Sequence, residues 1–217
     1  MTDSRSSAEA GNPEGGVQIP VPYLDQSREA PTGCESVTAV MLLNYLGYPV
    51  TIKDFIDEDL EKELFFERDG RLYGPDPSRA FAGDPCDPDS MGCYAPVLVR
   101  ALGRVLGERY EIIDETGSEI EDLIGRYLVE ENMPVPLWAT IDLKPSIEGP
   151  SWYLSDTGER FTWRSNEHCM LLTGFDEENY IFNDPWNNNG VIAYPKDLVK
   201  LRHREQHMQA VGVRRRA

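Results

Sequence analysis

The sequence predicts an α+β fold, with helices concentrated in the first half of the chain and strands in the second. Helical patterns account for most of residues 34–131, whereas short β-like patterns recur over residues 135–213. A regular alternation of strand and helix, which would indicate a parallel α/β sheet, is missing. The chain has 217 residues, of which 40% are hydrophobic and 27% charged, as is usual for a globular domain. This length is sufficient for one hydrophobic core, so we expect a single domain over residues 17–217.

The first 16 residues differ from the rest of the chain. They read MTDSRSSAEAGNPEGG and contain no Val, Ile, Leu or aromatic residue, so they cannot bury enough surface to offset the entropy of an ordered chain. We therefore expect residues 1–16 to be disordered. They lack the basic and apolar regions of a signal peptide, and no stretch of the chain reaches the ~18 apolar residues needed to cross a bilayer. Cytoplasmic localisation is the default expectation, with secretion left open.

The clearest helix is predicted for Cys34–Leu46, which reads CESVTAVMLLNYL. The turn-forming segment Pro31–Gly33 precedes it, and Gly47 is a suitable residue to end it. Apolar residues occur on nearly every side of the predicted helix, which indicates that the helix is buried. Cys34 is thus expected at the N-terminus of a central, buried helix.

Three further helices and one long loop are predicted before residue 134. We expect an acidic amphipathic helix over Thr51–Phe66 and another helix over Pro96–Leu106. The segment Ser118–Glu121 has the pattern of a capping box and predicts a helix that extends to about Glu131. Residues 67–93 are dense in Gly, Pro, Asp and Ser and predict a long loop. Such loops are uncommon in compact domains, so a lid or wall over a site and a simple cover for the core are both open interpretations.

The second half of the chain contains shorter patterns that are typical of strands. Runs rich in β-branched and aromatic residues predict strands over residues 135–141, 167–175, 180–182, 191–194 and 209–213. A short helix is expected over residues 195–201. The sequence contains no internal repeat and no sign of a second domain.

Cys34 is the strongest candidate for a chemical role. A cysteine acts as a nucleophile in its thiolate form, and the exposed N–H groups at a helix N-terminus lower the pKa of a thiol. A neighbouring imidazole would take the thiol proton and later return it to a leaving group. Among the three histidines, His168 is the best candidate, because it lies in the apolar strand pattern NEHCMLLTGF. The other two, His203 and His207, lie in a polar stretch.

Two polar residues complete a predicted catalytic arrangement. Asp184 follows the predicted strand 180–182, and a hairpin of this strand with the strand of His168 would place the two side chains together, so that the carboxylate orients the imidazole. Asn183 is one residue away and would point to the opposite face of the strand. Gln26 precedes Cys34 in the loop that leads to its helix. Its side-chain amide, together with the backbone N–H of Cys34, would bind an oxyanion.

Each of these residues, taken alone, also has a purely structural interpretation. A lone cysteine at a helix start is more often a small buried hydrophobic residue, and a lone histidine in a strand is more often a hydrogen-bonded core residue. The order Gln26, Cys34, His168 and Asp184 carries more weight than any single position. The separation between Cys34 and His168 also fits that of papain-type enzymes.

The charge and the cysteines restrict the possible partners. With 21 Lys and Arg against 38 Asp and Glu the net charge is −17, which argues against nucleic acid and anionic membranes as partners. Four cysteines in a chain of this length do not form a disulfide framework, and no histidine has a familiar zinc spacing relative to Cys86 and Cys93. No metal and no cofactor are therefore predicted. Pairing of Cys86 with Cys93 in an oxidising compartment stays open, as does the oligomeric state.

At these residues the chain resembles a known family, the bacteriocin-processing (double-glycine) cysteine peptidases of the papain-like group, and in particular their stand-alone bacterial relatives. The stretches that carry the resemblance are VPYLDQ at 21–26, PTGCESVTAVMLLNYLG at 31–47, YGPDPSRAFAGDP at 73–85, GCYAPVL at 92–98, NEHCMLLTGFD at 166–176 and FNDPW at 182–186. The resemblance implies a papain-like α+β fold, with the nucleophile on a central helix and an antiparallel C-terminal sheet. It also implies the roles given above for Cys34, His168, Asp184 and Gln26, but no particular substrate.

The expected activity is therefore hydrolysis of a peptide bond or another amide through an acyl-enzyme, with a peptide or protein as substrate. Two alternatives stay open. A papain-like site can also carry out acyl transfer or isopeptide cleavage, because a fold does not determine its function. A non-catalytic peptide-binding module could retain the same scaffold, although the presence of all four polar residues favours an enzyme.

Overall fold

The computed structural model describes residues 16–216. The α-helices in this range are α1 (Cys34–Tyr45), α2 (Ile52–Asp54), α3 (Ala95–Leu106), α4 (Ile120–Leu123) and α5 (Lys196–Glu205). The strands are β1 (Val17–Gln18), β2 (Lys62–Glu63), β3 (Phe66–Arg68), β4 (Arg71–Gly74), β5 (Phe81–Ala82), β6 (Tyr110–Asp114), β7 (Val135–Thr140), β8 (Ile147–Leu154), β9 (Arg160–Ser165), β10 (Glu167–Phe175), β11 (Asn179–Asp184), β12 (Gly190–Pro195) and β13 (Val211–Arg215). These elements confirm the predicted α+β class.

Short helical turns extend or connect these elements. Helices α2 and α4 each continue into a π-helical segment, Phe55–Asp59 and Ile124–Val129 respectively. Single 3₁₀ turns cover Gly107–Arg109, Ile141–Leu143 and Trp186–Asn188. The last of these turns directly follows β11, at the edge of the candidate site.

Helix α1 is the central helix, as its apolar sequence predicts. Its residues from Cys34 to Leu43 are all buried. Gly47 has a φ of +86° and turns the chain just after the helix, a conformation that an L-residue with a side chain rarely adopts. The Oγ1–H of Thr38 donates to the backbone carbonyl of Cys169 at 3.1 Å, so the helix is tied to β10 by a buried hydrogen bond as well as by packing.

The principal sheet is antiparallel and is built around β10. At one edge β10 pairs with both β7 and the short strand β1. In the pairing with β7, His168 lies opposite Ala139. At its other edge β10 pairs with β11, and β11 pairs in turn with β12. All residues of β10 are buried. The strand that carries His168 is therefore held on both edges and covered by α1, which fixes the position of its side chains.

A second sheet, in the order β3-β4-β8-β9, lies outside the sequence predictions. Strand β4 pairs with β8, which is about 80 positions away in the chain, and β8 pairs with β9. A separate cluster of buried residues packs here and includes Trp152 and Trp163. Two smaller pairings, β2 with β5 and β6 with β13, complete the structure.

The helix predicted over Thr51–Phe66 is wrong in its second half. Thr51 does cap the helix by accepting a hydrogen bond from Asp54 N, but the chain becomes extended at Leu60. Tertiary contacts explain the early end. The backbone carbonyl of Glu61 accepts from Phe81 N at 2.8 Å, and its carboxylate binds Arg100 of α3 at 2.6 Å. These partners replace the helical hydrogen bonds that a longer helix would have made.

Two other predictions also need correction. Residues 67–93 are not a structureless loop, because strands β4 and β5 lie within them and β3 leads into them. The predicted capping box does not form. Ser118 donates its hydroxyl to Glu115 at 2.7 Å instead, and the helix begins at Ile120 without a side-chain cap. The carboxylate of Glu115 also binds Arg126, so this serine joins an existing ion pair rather than the helix start.

The prediction of disorder for residues 1–16 falls outside the described residues, except for Gly16. Among residues 16–216, no helix is both long enough and apolar enough to span a bilayer.

Candidate active site

A cavity of about 440 Å³ opens where the start of α1 meets the start of β10. Cys34 and His168 both line it, and Gln26 lies on the same wall. Asp184 lies behind His168 and is 1% exposed. The structure thus brings together all four residues that the sequence singled out, from segments that are far apart in the chain.

His168 and Asp184 form the closest polar contact of the site. Nε2 of His168 lies 2.6 Å from Oδ1 of Asp184, and both side chains are 1% exposed. The contact arises because β10 and β11 pair as an antiparallel hairpin. Asn183 points the other way, as expected, and donates to the backbone carbonyl of Val21. Since Nε2 is used for the carboxylate, Nδ1 is the ring nitrogen left for proton exchange.

The carboxylate of Asp184 is held by several further donors. Its Oδ1 accepts from the backbone N–H of Trp186 at 3.0 Å, and its Oδ2 accepts from Asn189 at 2.9 Å and from the hydroxyl of Tyr194 at 2.8 Å. Burial by itself raises the pKa of this carboxyl group, but the hydrogen bond from His168 and those from Asn189 and Trp186 outweigh it and lower the pKa to about 2. Asp184 is therefore ionised at neutral pH.

The thiol of Cys34 is not in the electrostatic environment that the helix position predicts. Its Sγ donates to Oε2 of Glu35 at 3.3 Å and accepts from the backbone N–H of Cys169 at 3.4 Å. Burial, followed by the charges of Glu35 and Glu167, raises the pKa of Cys34 well above its usual value. The direction is opposite to the lowered thiol pKa expected from the helix position, because burial and the two nearby carboxyl groups disfavour the thiolate. Within the described residues, Cys34 and His168 make no hydrogen bond to each other.

Gln26 lies in the loop that precedes α1 and is 2% exposed. Its side-chain amide donates to the backbone carbonyl of Pro31 at 2.9 Å, which uses one of its two N–H groups. Its backbone N–H donates to the carbonyl of Pro185 at 3.0 Å, so the loop is attached to the segment that follows Asp184. The backbone N–H of Cys34 belongs to the first turn of α1, where N–H groups have no partner within the helix. Gln26 and Cys34 line the same cavity.

Glu35 and Glu167 are site residues that the sequence reasoning missed. Glu35 is fully buried and Glu167 is 7% exposed. Oε1 of Glu35 accepts from the backbone N–H of Cys93 at 2.6 Å. Burial is the main reason why the pKa of Glu35 rises to about 7 and why that of Glu167 rises well above its usual value. The available signal was their position, since each is the immediate neighbour of a candidate catalytic residue.

Gly92 allows these two carboxylates to approach each other. A Cβ atom at this position would lie 2.7 Å from Oε1 of Glu35 and 2.9 Å from Oε2 of Glu167, closer than such contacts allow. Sγ of Cys34 and one carboxylate oxygen from each glutamate all lie within 4.8 Å of one another. These three side chains together offer enough ligand atoms, close enough to one another, to hold a metal ion.

The remaining tryptophans and cysteines have separate roles. Trp186 packs edge-on against His168, with ring centroids 6.4 Å apart, and covers the histidine–aspartate pair from the cavity side. Trp163 also lines the cavity, whereas Trp138 and Trp152 are buried in the two hydrophobic clusters. All four cysteines are free thiols, and only Cys86 is exposed.

Comparison with known proteins identifies the family. The model of the Peptidase_C39 like family matches residues 18–211, which is most of the chain and includes every candidate site residue. The chain belongs to this C39-like peptidase family. The resemblance to double-glycine peptidases is thereby confirmed at the level of the family, which is one of cysteine-type peptidases.

Two individual proteins similar to this C39-like chain extend the comparison. It is 27% identical over 154 residues to the "Uncharacterized protein YvpB" of Bacillus subtilis (strain 168), an alignment that covers 71% of this chain. The alignment spans only 58% of the length of YvpB. A crystal structure of a protein described as a C39-like peptidase from Bacillus anthracis superimposes with a TM-score of 0.80 over 94% of this chain and 100% of the other, at 24% identity. That likeness shows that the two share a fold.

Proposed function

We propose that this chain is a cysteine peptidase or amide hydrolase with Cys34 as nucleophile, His168 as general base, Asp184 as the residue that orients the histidine, and Gln26 as an oxyanion donor. The observation that carries the proposal is the buried hydrogen bond of 2.6 Å between His168 and Asp184 beside a cavity that Cys34 also lines. A core histidine with only a structural role has no need of an ionised carboxylate behind it at the wall of a cavity.

The reaction would begin with transfer of the thiol proton to Nδ1 of His168. The resulting imidazolium would be stabilised by the carboxylate of Asp184, which stays ionised because its pKa is about 2. The thiolate would attack the carbonyl carbon of the substrate and form a tetrahedral intermediate. His168 would then donate its proton to the leaving amine, which leaves an acyl-enzyme on Cys34.

The oxyanion of the intermediate would be bound by two donors. The backbone N–H of Cys34 points out of the first turn of α1, and Gln26 retains one amide N–H that Pro31 does not use. Water, activated by His168, would then hydrolyse the acyl-enzyme and regenerate the thiol. The loss of one such donor typically costs about 100- to 1000-fold in turnover, which is the effect expected for Gln26→Ala.

The resting structure places one requirement on this sequence of steps. The thiol proton is directed to Glu35 at 3.3 Å, so the Cys34 side chain must reorient towards His168 before the proton can move. Substrate binding in the cavity would exclude water and favour this change. We therefore describe the ligand-free site as one that holds its nucleophile in the protonated form.

The substrate class follows from the family and from the shape of the site. The cavity is lined by Pro88, Ser90 and Met91 from the segment 67–93 and by Trp186 and Asn187 from the turn after β11. That segment is thus a wall of the cavity, and we infer that an extended peptide lies between it and the turn at Trp186.

A cleavage assay with mass-spectrometric readout tests the proposed function. The parent protein, Cys34→Ala and His168→Ala would be incubated with a peptide library that contains both Gly-Gly and non-Gly sequences. Cys86→Ser serves as the matched control, because it removes the exposed thiol. We expect the parent and Cys86→Ser to cleave the same peptides, and the two site variants to lose about 1000-fold or more in rate. Equal cleavage by Cys34→Ala would overturn the proposal.

A further inference from the structure

The cluster of Cys34, Glu35 and Glu167 is a feature that the proposed peptidase mechanism does not use. Its three potential ligand atoms, one sulfur and two carboxylate oxygens, lie within 4.8 Å of one another, and all three residues are buried. The mechanism needs the thiol alone. Two adjacent carboxyl groups beside it hinder that mechanism, because they raise the pKa of the nucleophile.

Within the described part of the chain, neither carboxyl group has a cationic side chain beside it, and that of Glu167 also lacks a hydrogen bond to one oxygen. Among residues 16–216, neither Glu35 nor Glu167 forms a salt bridge with a lysine or arginine. Oε1 of Glu167 has no hydrogen-bond partner in this range, and the residue is only 7% exposed. Burial of an unpartnered polar oxygen is costly, and a cation that replaced the proton retained at the raised pKa would offset that cost.

We propose that Cys34, Glu35 and Glu167 form a zinc-binding site, with the fourth coordination position open to the cavity. Thiolate and carboxylate oxygen are both zinc ligands, with bonds of about 2.3 and 2.0–2.2 Å, and a tetrahedral ion places such ligands about 3.5 Å apart. The distance of 3.3 Å between Sγ of Cys34 and Oε2 of Glu35 is close to this spacing. The thiolate favours zinc over magnesium or calcium, which prefer oxygen ligands alone.

The backbone N–H of Cys93 and the missing side chain of Gly92 pre-organise these ligands. The hydrogen bond from Cys93 N fixes the carboxylate of Glu35 through its Oε1, which leaves Oε2 directed at Cys34. Gly92 lets the carboxylate of Glu167 approach from the other side. Binding of zinc would release to solvent the thiol proton and the protons that the raised pKa values retain on the two carboxyl groups, and would place a divalent charge between the three resulting anions.

Occupation of the site would keep Cys34 from attacking a substrate. This consequence rests on the proposed function, whereas metal binding itself does not. A zinc-bound resting form that loses its ion before catalysis would explain why two carboxylates flank the nucleophile. The site has no sequence signature, because no histidine has a zinc spacing relative to Cys86 and Cys93 and neither glutamate belongs to a familiar zinc motif.

Direct titration tests the site without any reference to catalysis. Tag-free Cys86→Ser protein, which lacks the exposed thiol, would be titrated with Zn²⁺ in competition with a chromophoric chelator. We expect one equivalent to bind, and Glu167→Gln, Glu35→Gln and Cys34→Ser in the same background to weaken binding by about tenfold or more. Glu63→Gln, which alters a glutamate of β2, is the matched control and should bind as the parent does. Thermal unfolding of each variant shows that the protein is folded.

The ligand set separates this proposal from the simplest alternative. X-ray absorption of the zinc complex should show one sulfur and at least two oxygens around the ion. Binding that survives both glutamine substitutions but is lost in His168→Ala would assign the ion to a thiol–imidazole pair and overturn the proposal, as would the absence of stoichiometric binding. If the protein binds zinc as expected but cleaves no peptide, the zinc-site proposal is supported and only the proposed peptidase function is wrong.

Discussion

Nε2 of His168 lies 2.6 Å from Oδ1 of Asp184, although the two residues are 16 positions apart in the chain. The carboxylate also accepts hydrogen bonds from Trp186, Asn189 and Tyr194. An aspartate with this many donors has little freedom to rotate. It therefore fixes both the orientation and the tautomer of the histidine.

Replacement of Asp184 by asparagine is expected to lower kcat by about 10⁴-fold with little change in KM, because an amide can hold the imidazole in the wrong tautomer. The measurement is steady-state hydrolysis of the peptide that the library assay selects. Tyr194→Phe is the matched control, since it removes a single donor to Oδ2 and costs about 1 kcal/mol of stability. If Asp184→Asn and Tyr194→Phe lower kcat by the same factor, the orienting role of the carboxylate is wrong.

The ionisation of Asp184 predicts how stability depends on pH. Its pKa falls from 3.8 in an unfolded chain to about 2 in the fold, so the carboxylate stabilises the folded state above pH 4. The contribution, about 2 kcal/mol, should disappear as the pH falls from 4 towards 2. Urea unfolding of the parent and of Asp184→Asn would measure it as a difference between the two free energies of unfolding. That difference should narrow at low pH, and a constant difference between pH 7 and pH 2.5 would contradict the prediction.

Glu35→Gln is expected to accelerate alkylation of Cys34 by iodoacetamide at neutral pH. The charge of Glu35 is the second-largest reason, after burial, for the raised pKa of the thiol. At a fixed pH below that pKa, each fall of one unit in the thiol pKa raises the thiolate fraction about tenfold. Peptide mapping after timed labelling gives the rate at each cysteine. Cys86 is exposed and lies outside the cluster, so its rate serves as the internal control. An unchanged Cys34 rate in the variant would show that the carboxylate does not hold the thiol in its protonated form.

A pair of glycine substitutions tests the close approach at the site. Gly92→Ala should destabilise the protein and displace one of the two glutamates, because the new Cβ would meet their carboxylates at 2.7 and 2.9 Å. Gly103→Ala is the matched control. It lies in α3 with nothing within 4 Å of the added Cβ, so it should stabilise the protein by about 0.4–1 kcal/mol. Thermal unfolding of both variants measures the two effects, which should have opposite signs.

The parts of the fold that could be predicted are those with strong local patterns. The bounds of α1 and α3 follow from their apolar sequences and turn residues, and β10 is recognisable from its continuous apolar run. The hairpin of β3 and β4 also has a local signal, the Asp69-Gly70 turn, in which both residues have positive φ. The Gly- and Pro-rich composition of the surrounding residues is typical of a loop and masks that signal.

Other elements have partners that no local pattern can indicate. Strand β8 forms beside β4, which lies about 80 positions earlier in the chain, and the helix that begins at Ile52 ends early because the backbone carbonyl of Glu61 accepts a hydrogen bond from Phe81 N. In both cases the backbone gains hydrogen bonds from a remote segment. Hydrophobic periodicity reports which side of an element is buried, but not which element covers it.

The sequence by itself determined that a cysteine begins a buried helix, that a histidine lies in an apolar strand, and that an aspartate closely follows the next strand. These statements depend on neighbouring residues and on simple hairpin geometry. The tertiary structure alone decided the environment of the thiol. Glu35 and Glu167 are 132 positions apart, and their distance from Cys34 depends on how α1 packs against β10. Because burial and charge act through space, the pKa of Cys34 and the candidate metal site could not be derived from the order of residues along the chain.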